Sequence, residues 1–351
     1  MKIKDIVSES LVLETPEQVR SEIVQKISKI QDEPDLINVL KFTNQYAYKK
    51  DVSKLSTIKG YKDTVSNIIL QAVGSVDAPD TLIRAFLKRL STDGVIKENL
   101  LLTPGAVHVM DDIVDVKFRG IFNAIKLDLF EKISGKMGEK GDVGKGEYLL
   151  SILSPRIVRR GAPGDIAISD SKRQVKVELK AGESGRLGPA GSQAIAGRFD
   201  EFIKLCLKNK LLALGTFEMP NPVDLNFSLN MTKFSAFFGN NQAKVSKALA
   251  IMLKMHYPTL NTTEMVKTIV HGGQINGPEL KSQMLAASYS VYQAAKEFDG
   301  ILLTDYGINR YLYMNTPQSA SAAGTFLTIK FPSWTDTQSN TIKIQLKTSA
   351  R

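Results

Sequence analysis

The chain has 351 residues, with 46 Lys and Arg against 36 Asp and Glu and a formal net charge of +10. Its 43% hydrophobic and 23% charged residues are ordinary for a globular protein, and its length suits two to three domains. The single cysteine excludes an internal disulfide, and no run approaches the ~18 apolar residues of a membrane span.

Residues 1–134 read as a mainly helical N-terminal region. The start MKIKDIVSESLVLE carries acids and no apolar core, so no secretory leader is expected. Thr15-Pro16-Glu17 is a helix start, and Val19, Ile23, Val24, Ile27 and Ile30 follow at helical spacing. A second start at Glu33-Pro34-Asp35 leads into Leu36, Ile37, Val39 and Leu40. Further helices are predicted near 64–73, 80–91 and 117–133. The stretch 81–103 fits a generic helical layer better than a winged helix. Residues 135–146, GKMGEKGDVGKG, read as a flexible Gly/Lys-rich linker ending at a helix start. It is not a phosphate-binding P-loop, because Gly144-Lys145 is followed by Gly146 and Glu139 stands where the first glycine belongs.

Residues 147–215 then read as helix, two strands, helix. Residues 216–351 read as an α+β region, with long helices over 241–257 and 277–298 and strands near 298–305, 310–316, 324–331 and 340–348. The last two strands flank the turn-rich PSWTDTQS, which predicts a terminal hairpin. The fold class expected is α/β in the sense of a mixed α+β sheet. Cys206, Met252 and Met255 sit at helical spacing among apolar residues and read as core. Trp334 reads as packing. His108, His256 and His271 are dispersed and form no zinc-ligand pattern.

The chemistry concentrates in GKGEYLLSIL, GAPGDIAIS and VKVELKAG. The last two alternate as half-buried strands do. Val175, Val177 and Leu179 share one face, and Lys176, Glu178 and Lys180 the other, so Glu178 and Lys180 point the same way roughly 7 Å apart. Asp170-Ser171-Lys172-Arg173 is turn material. With those four as the loop, Ser169 pairs with Gln174 and Asp165 falls opposite Glu178, about 5 Å away on one face unless a bulge intervenes. Two carboxylates at that distance repel unless a cation lies between them, and Mg²⁺ takes one or two carboxylates together with water and phosphate oxygens. A lysine two positions on can hold or deprotonate the attacking water or stabilise developing charge. Glu147, in a first helical turn, is equally a dipole-stabilising residue and a further acid for the metal.

Glu147, Pro163-Gly164-Asp165 and Glu178-Leu179-Lys180 together resemble the PD-(D/E)xK nuclease superfamily, the restriction endonuclease-like fold. Twelve residues separate Asp165 from Glu178, as that pattern asks, although Gly164 intervenes where the superfamily often has proline directly before the acid. About 70 residues carry the resemblance. It implies an αβββαβ core in which Asp165 and Glu178 bind Mg²⁺ (Mn²⁺ substituting), Lys180 assists the water and Glu147 is the helix acid. It further implies a metal-dependent endonuclease leaving a 5′-phosphate, with nucleic acid, DNA by expectation, as partner.

Residues 141–210 hold 13 Lys or Arg against 8 Asp or Glu, half of the net charge in a fifth of the chain. Arg156, Arg159 and Arg160 precede the aspartate strand, and Lys172 and Arg173 occupy the hairpin tip. Such groups fit sequence-independent phosphate contact. Gly182, Gly185, Gly188 and Gly191 read as a loop bearing Arg186, a phosphate clamp, and Glu183, a weaker alternative acid. Gln193 and Arg198 are expected on the following helix, facing substrate. The competing reading is a non-catalytic nucleic-acid-binding or phage assembly protein that keeps a nuclease-like fold. A cytoplasmic setting in a bacterial host, with a phage-encoded chain and a homodimer or higher oligomer, completes the expectation.

Overall fold

A computed structural model of the chain describes residues 72–73, 76–137, 145–159, 163–169, 173–188, 195–213, 215, 217–335 and 341–348. The helices expected over 15–70 lie outside them. The first elements are α1 (Asp80–Ser91), α2 (Glu98–Leu101), β1 (Val107–Val109), α3 (Arg119–Met137) and α4 (Lys145–Leu153). Next come β2 (Ile157–Arg159), β3 (Ile166–Ser169), β4 (Gln174–Ala181), β5 (Gly185–Leu187) and α5 (Phe199–Lys208). They are followed by α6 (Thr232–Phe237), α7 (Gln242–His256), α8 (Thr262–Ile269), β6 (Val270–His271), β7 (Gln274–Ile275) and α9 (Gly277–Lys296). The last are β8 (Gly300–Asp305), β9 (Arg310–Met314), α10 (Pro317–Ala322), β10 (Leu327–Lys330) and β11 (Ile342–Leu346). The architecture is a mixture of helices and mixed sheet, as expected. No described helix is long and apolar enough to cross a membrane.

The chain divides into two compact units that are discontinuous in sequence, unlike the consecutive segments expected. One comprises Met1–Thr103, Val107–Leu179 and Thr304–Tyr313; the other comprises Pro104–Ala106, Lys180–Leu303 and Met314–Arg351. The border falls inside β4.

The first unit holds most of a six-stranded sheet in the order β1–β9–β8–β4–β3–β2. Its helix α1 buries Ile83, Phe86 and Leu90, one stripe at helical spacing. Phe86 meets Phe118 edge-on with centroids 5.5 Å apart. Helix α3 buries Ile121, Phe122, Ile125 and Leu129 and runs on to Met137. The expected linker therefore begins later than Gly135, and residues 138–144 lie outside the described set. The buried ammonium of Lys126 is held by Asp111, Asn123 and Asn309 at 2.7–2.8 Å, so this charge is a structural brace.

In the second unit, Asn241 caps α7 by accepting from the Lys244 N–H, and Asn276 caps α9 by accepting from that of Glu279. Val245, Leu249, Met252 and Leu253 face inward from α7. Trp334 packs as expected: it is buried, its ring lies 5.1 Å from that of Phe202, and its indole N–H donates to the Leu225 carbonyl at 3.0 Å. Cys206 is fully buried on α5, and burial pushes its thiol up to about 12, which suits filler. The expected terminal hairpin is β10–β11, antiparallel with Leu327 opposite Leu346. It is extended by β5, which pairs Leu187 with Ile342.

Candidate active site

The central hairpin forms in the anticipated register. Ser169 pairs with Gln174, Ile168 with Val175, Ala167 with Lys176 and Ile166 with Val177. Ile166, Ile168, Val175 and Val177 make one apolar face and all are buried. Alternation sends Lys176 and Glu178 to the other face.

One step beyond Ile166 the regular ladder ends. Gly164 adopts φ +76°, and a Cβ there would lie 3.2 Å from both N and O of Val177. Only glycine fits such a left-handed, tightly packed position without strain. This accounts for the glycine between Pro163 and Asp165. The turn lets the Asp165 N–H donate to the Val177 carbonyl at 2.9 Å, one residue out of step with the ladder, as in a bulge that begins with glycine. The carboxylate then substitutes for the missing strand. Asp165 Oδ2 accepts from the Leu179 N–H at 2.8 Å, a bond that sequence reasoning missed. The bond fixes the orientation of Asp165 against the main chain of β4, immediately beside Glu178. A carboxylate has about four acceptor positions, so one N–H does not exhaust it.

Glu178 is only 3% exposed and Glu147 8% exposed. Burying a carboxylate is costly unless partners hold it. Glu147 follows Gly146, where a Cβ would lie 2.7 Å from Leu179 Cδ2, 3.5 Å from the Tyr306 hydroxyl and 3.6 Å from Thr304 Oγ1. The start of α4 therefore packs on the face that Leu179 shares with Val175 and Val177, whereas Glu178 leaves β4 on the opposite face. Among the described residues no three of His, Cys, Asp and Glu come together as a metal-holding group. The structure thus brings Asp165 to the strand that carries Glu178, and it does not gather Glu147 with them. The Tyr306 hydroxyl is buried without a hydrogen bond, and burial raises its pKa. The Thr304 hydroxyl is near enough to offset part of that rise but is not in hydrogen-bonding geometry.

Lys180 follows on the same strand, in the second unit. It is half-buried, with its ammonium 5.1 Å from the centroid of the Tyr292 ring, a cation–π distance.

The cationic residues are scattered. Arg156 is exposed, with its guanidinium 3.7 Å from the carboxylate of buried Glu98. Arg159 lies on β2, with its side chain outside the described set, and Arg160, Lys172 and Gln193 lie wholly outside it. Arg173 is exposed at the hairpin end. Arg186 is not on a loop: Gly185–Leu187 is strand β5, and its side chain is exposed. Arg198 precedes α5 instead of lying on it. Its guanidinium is committed to Glu201 at 2.8 and 2.9 Å and to the Met255 carbonyl at 3.2 Å, so it braces the fold where substrate contact was expected.

Comparison with protein families, with curated proteins and with solved structures returns no match for this chain.

Proposed function

We propose that the chain is a metal-dependent nuclease that hydrolyses phosphodiester bonds in DNA. The observation that carries this reading is the placement of Asp165, oriented by the Leu179 N–H, at the end of the hairpin whose other strand bears Glu178 and Lys180. Further support comes from the chain order. Helix α4, strands β2, β3 and β4, then an insertion that holds β5, β6 and β7 as well as α5–α9, then β8, next to β4 in the sheet order, are in keeping with an αβββαβ core enlarged by that insertion.

Hard carboxylate oxygens are the donors Mg²⁺ prefers, and one or two suffice, so Asp165 and Glu178 are the residues that would hold it. When bound, the ion lowers the pKa of a coordinated water and offsets charge on the phosphoryl group. Asp165 presents its carboxylate in one orientation because its Oδ2 accepts from the Leu179 N–H. Glu178, almost fully buried, sits where water is largely excluded and electrostatic effects are strong. Lys180 orients the nucleophilic water or supports the departing oxygen through its ammonium. Glu147, on the helix packed on the opposite face, has the smallest part.

Purified protein with Mg²⁺ or Mn²⁺ should nick or cut plasmid DNA, and Asp165→Ala and Lys180→Ala should each abolish cutting. Equal degradation by wild type and both variants would assign the activity to a contaminant and remove the proposal.

A further inference from the structure

The second unit carries a charge pattern that the candidate active site does not use. In the three-stranded sheet β10–β11–β5, Lys330 pairs with Lys343, and Lys343 pairs with Arg186. Direct cross-strand partners share a face. Adjacent strands lie about 4.8 Å apart, so three cations form one row roughly 10 Å long. Lys330 and Arg186 are exposed and Lys343 is half-exposed between them. The same face carries Thr328 opposite Gln345, both exposed. The other face holds Leu327, Ile342, Ile344, Leu346 and Leu187, all buried. The burial pattern thus fixes the row on the solvent side.

Like charges directly opposite one another on a sheet are destabilising. Lys343 and Arg186, directly opposite one another, repel, and a polyanion laid across the row relieves that repulsion. Among the described residues the face has no large apolar side chain to insert into a bilayer, which removes the apolar part of membrane-surface binding. It is polar and basic throughout, as a surface that tracks a phosphate backbone is. Its location adds a link to Lys180: a Cβ on Gly185, the neighbour of Arg186, would lie 3.3 Å from Lys180 Cβ. The row therefore begins beside the strand end that carries Lys180.

We propose that Arg186, Lys343 and Lys330 form a phosphodiester-backbone contact surface for nucleic acid on the outer face of β10–β11–β5. The inference deepens the nuclease reading by naming a surface that holds the polymer, and it is tested without metal, where no cutting occurs. Binding of the full chain to a labelled duplex DNA and to a single-stranded RNA of equal length is measured in EDTA between about 50 and 200 mM salt. The Arg186→Ala/Lys330→Ala/Lys343→Ala variant should lose about 2.7 from the salt slope on duplex, or about 2 on single strands, with affinity at low salt falling on the order of 100-fold. Response on duplex alone, on single strands alone or on both identifies the source of the phosphates. Lys343→Gln, a single change on the outward face that relieves repulsion, should lose about 0.9 from the duplex slope while its melting temperature holds or rises. An unchanged slope in both variants would overturn the proposal. So would wild type that binds neither polymer, or row-dependent binding confined to phosphatidylserine vesicles. Loss of cutting with binding retained, as in Asp165→Ala, would bear on the active site alone; loss of slope with the acids intact would bear on the row alone.

Discussion

Two strands of this molecule treat charge in opposite ways. On β4, Glu178 is nearly removed from solvent beside an aspartate oriented by a main-chain N–H. On β11, Lys343 stands on an outward face between two further cations. Burial makes a carboxylate expensive and its surroundings specific. Exposure makes an ammonium cheap, long-ranged and sensitive to salt. The first arrangement suits chemistry at one point, and the second suits attraction along a polymer. Each therefore answers to a different perturbation.

The contrast breaks most sharply at Asp165. Asp165→Asn keeps an acceptor for the Leu179 N–H and removes the charge. Its melting temperature should stay close to wild type while cutting falls by at least about 100-fold. A matching loss of stability would make Asp165 a capping residue and nothing more.

Next in size is an effect of pH. Burial lowers His256 from 6.5 to about 4. The residue is 4% exposed and its Nδ1 has no hydrogen bond. The unfolded chain takes up this proton below 6.5, whereas the folded chain resists it. The stabilisation is therefore complete above pH 6.5 and declines as pH falls toward 4, by on the order of 3 kcal/mol. Denaturant titrations across that window should show the decline, and His256→Phe should flatten it.

Gly164→Ala sharpens the contrast from the main-chain side. A left-handed residue with a Cβ against the Val177 backbone should cost about 1–3 kcal/mol. Cutting should fall further than stability, because the turn sets where Asp165 stands. The smallest effect belongs to Tyr306→Phe. Removing a buried hydroxyl that has no hydrogen bond should leave stability unchanged or raise it by up to about 1 kcal/mol, read as a small shift in melting temperature.

How much of this was legible in the sequence varies with the length of the signal. The β3–β4 register was readable because Val175 and Val177 alternate with Lys176 and Glu178 and because turn residues fix the loop length. The helices α7 and α9 were readable from periodicity over 15 and 20 residues. Strands of three residues, β1, β2 and β5, give too few alternations to stand out. β5 was also hidden by its glycines, which resemble a loop; a Cβ on Gly185 would meet Ala181 O, Ile344 Cγ1 and Lys180 Cβ at 3.1–3.3 Å, so the glycine marks close packing. The bond from the Leu179 N–H to Asp165 depends on where the ladder stops, which no local pattern encodes. The cation row depends on pairing between segments more than 140 positions apart, and only the fold reveals it.

A crystal soaked in Mn²⁺, with anomalous density located relative to β3 and β4, tests the central claim most directly. The account predicts a peak about 2.1 Å from carboxylate oxygens of both Asp165 and Glu178. A fully ordered hairpin with no peak there, or with the two carboxylates on opposite sides of the sheet, would contradict it.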